Sequence, residues 1–285
     1  MARRVTASGK ETDNVEYSAI NVTPLTPGIG GIVSGVDLTR PLSNVEVEDL
    51  HRALEDRLVI FFRDQPIDHE AHKRFAHYFG GIHIAPSTKP WQAPGHPEVT
   101  IIHADADSTF VAGEDWHSDM SCDAEPPLGS VLYLHTVPPV GGDTAFSNMY
   151  AAYEALSERM KAHLEGLNAV HDAAVGFGGI TPDGMTLPRS SHPVIRTHPT
   201  TGRKAIYVNK GFTTHIEGIP RAESDALLGY LFNHVQHPIF QCRFSWQAHS
   251  IAFWDNRCAQ HSAIWDYFPQ TRSGFRVQIL GDVPH

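Results

Sequence analysis

Short runs of alternating or continuous apolar residues make up most of the chain, with a few stretches of helical spacing between them. Residues 20–42 predict short strands and turns, with Gly28, Gly30, Gly31 and Gly35 in turn and bulge roles rather than in a phosphate loop. Ser43 and Glu46 form a capping-box pair, and Val47, Leu50 and Leu54 keep helical spacing up to Arg57. The run 58–62, Leu-Val-Ile-Phe-Phe, is too short and too β-rich for a helix, so it predicts a mid-sheet strand buried on both faces. Asp68 caps a second helix that runs to Tyr78 and closes at Gly80-Gly81. This helix carries His69, His72 and His77, which lack the spacing of a metal-binding H-E-x-x-H and are expected on a solvated face.

Strands are expected at 98–103 and 130–136, near Ala169, and at 194–197, 205–208, 242–246, 251–254 and 275–280. A Pro/Gly loop at 138–143 delivers Thr144 onto a new strand, one or two helices cover 150–167, and another covers 222–236. Residues 174–191, rich in Gly, Pro and Ser, form a surface insertion of the length that often makes a lid. Many short strands with few helices predict a mainly β fold, a sandwich or jelly roll with helical decoration. A flexible tail over 1–16 followed by one domain over 17–285 is the expected organisation.

Composition narrows the possible partners. A formal net charge of −10 disfavours nucleic acid, which needs clustered Lys and Arg, and favours a small molecule. No apolar run approaches the roughly 18 residues of a membrane span, and the first residues lack the apolar core of a secretory signal. A cytoplasmic protein with no membrane partner is therefore expected. Cys122, Cys242 and Cys258 form no CxxC pair, so buried free thiols are expected rather than disulfides or structural zinc. Nineteen histidines raise the prior for a metal.

The sharpest candidate chemistry is Trp116-His117-Ser118-Asp119. On a strand, residues two apart face the same way, so His117 and Asp119 are expected to grip one metal ion together. His261, after the strand-like 251–256 segment, is the best third ligand. Two imidazoles and a carboxylate on one face leave three positions open, which suits non-haem Fe(II) binding a chelating substrate and O2, whereas zinc more often takes a closed tetrahedron. Arg272 and Arg276 lie an even number apart on the next strand and are expected to project toward the metal. A dicarboxylate on the iron could be clamped at its far end by Arg272 with help from the Thr144 hydroxyl.

These residues sit in an ordered set that resembles the taurine dioxygenase family of Fe(II)/2-oxoglutarate-dependent oxygenases. The set runs from Gly35-Val36-Asp37-Leu38 through Phe62-Arg63-Asp64-Gln65, His83-Ile84, the His117 stretch and Gly141-Gly142-Asp143-Thr144. It continues through Arg196-Thr197-His198-Pro199, Val208-Asn209 and Gly211-Phe212-Thr213-Thr214 to Trp254-Asp255-Asn256-Arg257, His261, Arg272 and Leu280-Gly281-Asp282. The resemblance implies a double-stranded β-helix core, His117, Asp119 and His261 as iron ligands, and Thr144 and Arg272 on the far carboxylate of 2-oxoglutarate. It implies hydroxylation coupled to conversion of 2-oxoglutarate to succinate and CO2. On the substrate side it implies Arg276 for an anion, with Phe177, Phe212 and Met120 in the pocket.

Three positions depart from the taurine pattern: Ala85 where a sulfonate-binding histidine is expected, Thr88 for a tyrosine and Gly113 for an asparagine. Burying taurine's ammonium without those partners is expected to cost several kcal/mol, so a less polar anion is expected, such as an alkyl sulfate or sulfonate or an aryloxyalkanoate. A dimer or tetramer is common in the family. The competing readings are taurine dioxygenase itself, a zinc-dependent hydrolase and a non-catalytic jelly-roll binding protein.

Overall fold

The computed structural model describes residues 15–84, 86–111, 113–179, 184 and 186–285, apart from the side chains of 86–88. Most of the tail expected at 1–16 lies outside the described residues. A nine-stranded sheet carries the architecture, in the order Asn21–Pro24, Gly31–Ser34, Val59–Phe62, Ser250–Asp255, Gly129–Thr136, Arg272–Ile279, His96–Ala104 and Gln92–Ala93. The two-residue strand Ile82–His83 also pairs with Arg272–Ile279. Its one parallel pairing joins Gly31–Ser34 to Val59–Phe62. A three-stranded antiparallel sheet, Gln241–Phe244, Thr144–Asn148 and Ala259–Ala263, faces it and completes the jelly roll.

The apolar run at 58–62 shows why the large sheet sits where it does. All four residues of Val59–Phe62 are buried, and their alternation splits them between two cores. Phe61 points between the sheets, stacking on Phe244 at 4.0 Å and meeting Phe146 edge-on at 5.5 Å. Ile60 and Phe62 point the other way, against Leu50 and Leu54 of the helix Asn44–Arg57 and Phe75 of the helix His69–His77. The first helix starts at the expected capping box: the Ser43 hydroxyl accepts from the Glu46 amide while the Glu46 carboxylate accepts from the Ser43 amide.

Three expectations change. His72 is not on a solvated face. Only 1% exposed, it lies beside Ala71 and Phe75 in the outer core, with Nε2 on the Val131 carbonyl at 3.0 Å. Second, His261 does not merely follow a strand but lies within one, Ala259–Ala263, whose polar sequence carries no apolar alternation. Third, the segment 174–191 is bounded by structure: the helix Ala173–Phe177 enters it and the strand Arg189–Pro193 leaves it, while 180–183 and 185 lie outside the described residues.

The buried His72 makes stability depend on pH. Burial pushes its imidazole down to about 4, although its bond to the Val131 carbonyl works the other way. The unfolded chain, with an ordinary histidine near 6.5, therefore binds more protons between those two values, so stability falls as pH drops through that window. The expected loss from this one site is roughly 3 kcal/mol between pH 7 and pH 4. Urea unfolding at both pH values should show His72→Gln losing less stability on acidification than the parent chain does.

Candidate active site

Thr144 and His261 lie on the small sheet, Arg272 and Arg276 on the large one, and all four line the same cavity of about 370 Å³. His117 is fixed to the small sheet by a two-way backbone bridge: its N–H donates to the His261 carbonyl at 3.0 Å and its carbonyl accepts from the His261 amide at 2.9 Å. The motif is therefore not a strand. After His117 the chain turns, with Asp119 in the turn and Met120 at φ 48°, and this turn, not β alternation, brings the carboxylate back toward the imidazole.

The three candidate ligand atoms converge. Asp119 Oδ1 is 3.5 Å from His117 Nε2 and 3.9 Å from His261 Nε2, and the two imidazole centroids are 4.1 Å apart. Each residue is at least nine-tenths buried. His117 Nδ1 lies 2.8 Å from the Asp115 carbonyl, which assigns its proton to Nδ1 and leaves a lone pair on Nε2 facing Asp119. Burial, followed by the nearby His117, holds His261 well below the ordinary histidine range. Burial alone would raise the Asp119 carboxyl, but Arg276, His261 and His117 outweigh it and keep the group ionised. Two imidazole nitrogens and a carboxylate oxygen lie close together, a donor set that fits a divalent cation, and the buried His261 Nδ1 has no hydrogen-bond partner among the described residues.

The surroundings hold that geometry. Ser130 donates to Asp119 Oδ2 at 2.6 Å, and Ser130 in turn accepts from Asn256 Nδ2 and Gln278 Nε2. Asn256 Oδ1 accepts from both the Asp119 amide and the Trp254 indole N–H. Trp254 also lies 4.5 Å from the His261 ring. At Gly113 a Cβ would stand 2.8 Å from His117 Cε1, so a side chain there would require the ring to shift, and the φ of 86° favours glycine. Gly211 is similarly constrained, with a Cβ meeting His117 Cβ at 2.7 Å.

Arg272, which lines the same cavity, is 4% exposed. Its Nε donates to the Gly142 carbonyl at 3.0 Å, its Nη2 lies 3.3 Å from Thr144 Oγ1, and its guanidinium rests 5.4 Å from the Trp246 ring. Trp246 Nε1 donates to the same threonine oxygen at 3.0 Å. Among the described residues no carboxylate lies within ion-pair distance of Arg272. Burial lowers it to about 10, with Tyr267 and Asp143 working the other way, which leaves it charged at neutral pH and outside any ion pair among the described residues.

Met120, Phe177 and Phe212 form the apolar wall near the triad, with the two phenyl rings 5.8 Å apart. Arg276 lines the cavity, but its Nη1 is bound to Asp119 Oδ1 at 2.7 Å. Ala85 and the Thr88 side chain lie outside the described residues. Sequence reasoning missed Ser130, Asn256 and Trp246; Asn256 lay within a quoted motif, and the other two offered no signal beyond their place on strand-like runs.

A jelly roll whose cavity is lined by a buried two-histidine, one-carboxylate cluster and a buried arginine matches the donor set of non-haem iron oxygenases. The family model for taurine catabolism dioxygenases, the TauD, TfdA family, matches residues 21–278, and the chain belongs to that family. Its relatives include the alpha-ketoglutarate-dependent 2,4-dichlorophenoxyacetate dioxygenase of Burkholderia sp. strain RASC, 35% identical over 264 residues and covering 85% of this chain and 88% of the relative. The alpha-ketoglutarate-dependent sulfate ester dioxygenase of Pseudomonas putida is 30% identical over 285 residues, covering 93% and 91%. A crystal structure of a taurine dioxygenase from Burkholderia xenovorans superposes with a TM-score of 0.83 at 38% identity, covering 94% of this chain and 91% of that one. The chain is thus an alpha-ketoglutarate-dependent dioxygenase by family.

Proposed function

We propose that His117, Asp119 and His261 hold Fe(II), that Thr144 and Arg272 bind the far carboxylate of 2-oxoglutarate, and that the substrate is a small organic anion with an apolar body. The observation that carries this reading is the presence, in the lining of one cavity, of a two-histidine, one-carboxylate cluster and a buried arginine with no ion-pair partner among the described residues. A five-carbon dicarboxylate suits both groups chemically: its keto acid end offers oxygens to a cation and its other end a charge to Arg272. Iron bound there would supply the redox chemistry by which O2 and 2-oxoglutarate become succinate, CO2 and one hydroxyl oxygen on the substrate.

The protein's own share is positional. Asp115 and Ser130 fix the orientation of two ligands, as partners of metal-binding side chains do elsewhere. Met120, Phe177, Phe212 and Leu132 line the reacting end with apolar surface and keep water from it. Arg276 supplies the nearest cation to the triad and is the group that would meet the substrate's anion. Acidic side chains also line the cavity, but Glu114 and Asp115 are exposed and Asp115 is paired with Lys210 at 2.7 Å, so neither offers taurine's ammonium a buried partner.

Succinate formation with alkyl sulfates, aryloxyalkanoates and taurine tests this directly. An alkyl sulfate or aryloxyalkanoate should support turnover with kcat/KM about 100-fold above taurine's. Efficient turnover of taurine at submillimolar concentration would return the reading to taurine dioxygenase proper. Hydrolysis with bound zinc and no 2-oxoglutarate consumption would favour a hydrolase, and ligand binding with no turnover a binding protein. A cytoplasmic dimer or tetramer is part of the same proposal; among the described residues no helix is long and apolar enough to cross a membrane.

A further inference from the structure

The Asp119 oxygen that faces the two imidazoles is the same oxygen that Arg276 holds. Oδ1 lies 3.5 Å from His117 Nε2 and 3.9 Å from His261 Nε2, and it accepts from Arg276 Nη1 at 2.7 Å. The other oxygen, Oδ2, is occupied by Ser130. A divalent cation placed at the triad and the Arg276 guanidinium therefore draw on one atom, and they repel each other across it.

Arg276 is only partly committed to Asp119. Its Nε is buried with no hydrogen-bond partner among the described residues, while its side chain keeps 15% exposure. It lines both the reaction cavity and a second cavity of about 290 Å³ walled by Trp91, Thr100, Phe110 and Tyr267. A donor that is unmet, at the junction of two cavities, can turn toward an incoming anion without leaving its strand.

We propose that Arg276 is a positioning residue that exchanges partners: it gives up Asp119 for the substrate's anion when that binds, so that metal and organic anion bind cooperatively. This inference rests on the reading of the site as a metal and organic-anion centre. An anion on Arg276 neutralises the guanidinium and draws it from Oδ1, which frees that lone pair and removes the repulsion felt by the metal. By linkage the metal must raise anion affinity by the same factor.

The test is calorimetric and needs no turnover. Metal-free protein is titrated with Mn(II) with and without saturating hexyl sulfate, and with hexyl sulfate with and without saturating Mn(II). Both affinities should tighten by the same factor, roughly tenfold. Arg276→Gln should bind Mn(II) without anion at least as tightly as the parent and should lose the coupling. An arginine that only braces Asp119 would instead make Arg276→Gln bind Mn(II) more weakly, which overturns the proposal. In the parent protein alone, hexyl sulfate that binds but leaves Mn(II) affinity unmoved overturns the coupling and spares the anion reading. Hexyl sulfate that binds under neither condition overturns both.

Discussion

Asp119→Asn should lower kcat/KM for 2-oxoglutarate-dependent turnover by roughly a thousandfold or more while leaving the circular dichroism spectrum unchanged. The substitution keeps the size of the side chain but removes the charge on Oδ1, the atom toward which both imidazoles and Arg276 point. It also leaves the Arg276 cation without its carboxylate. The strands are untouched, because Asp119 lies in a turn after the His117 bridge. Equilibrium dialysis with Mn(II) should show the metal affinity falling in parallel. Full turnover in Asp119→Asn would remove this residue from the metal site. His261→Ala should be as severe in turnover, since no other described histidine or carboxylate joins His117 and Asp119 in the cluster.

Arg272→Ala should raise the dissociation constant for 2-oxoglutarate by roughly a hundred- to thousandfold with the metal affinity unchanged, because a buried carboxylate then loses its charged partner at a cost of about 3–5 kcal/mol. Arg272→Lys should fall between, since an ammonium keeps the charge but not the paired donors that reach Gly142 and Thr144. The stability of the metal-free protein carries a second, independent sign. Arg272 is a buried cation outside any ion pair among the described residues, so its removal should leave the urea midpoint nearly unchanged or raise it. A large loss of stability with unchanged 2-oxoglutarate affinity would make Arg272 a structural residue.

How much of this was legible depended on whether burial left a mark in residue type. The run at 58–62 could be placed mid-sheet because both of its faces are apolar, and both are buried. The helix start at Ser43 was equally clear, since its capping box is local chemistry. The triad was legible as residue types and spacing, but for the wrong local reason: His117 and Asp119 meet through a bridge and a turn, not through strand alternation. The strand holding His261 left no signal, because Ala259, Gln260, His261 and Ser262 are polar or small residues although they are buried, and only their backbone pairs with the neighbouring strand. His72 was misread although Ala71, Phe75 and Ala76 beside it mark an apolar helix face. Ser130 and Asn256 reach Asp119, and Trp246 reaches Thr144, across 11 to 137 residues of sequence, which no local pattern encodes. The substrate side was legible in Met120, Phe177, Phe212 and Arg276, which line the cavity, and in Gly113, where a Cβ would crowd the His117 ring.

The most direct test of the central claim is anaerobic addition of Fe(II) and 2-oxoglutarate to the metal-free protein, read by visible absorption. If His117, Asp119 and His261 hold iron while Arg272 anchors the dicarboxylate, a weak charge-transfer band should appear only when both are present, and Asp119→Asn and Arg272→Ala should each suppress it at concentrations that saturate the parent. No band in the parent protein, with zinc bound tightly in its place and indifferent to 2-oxoglutarate, would contradict the assignment.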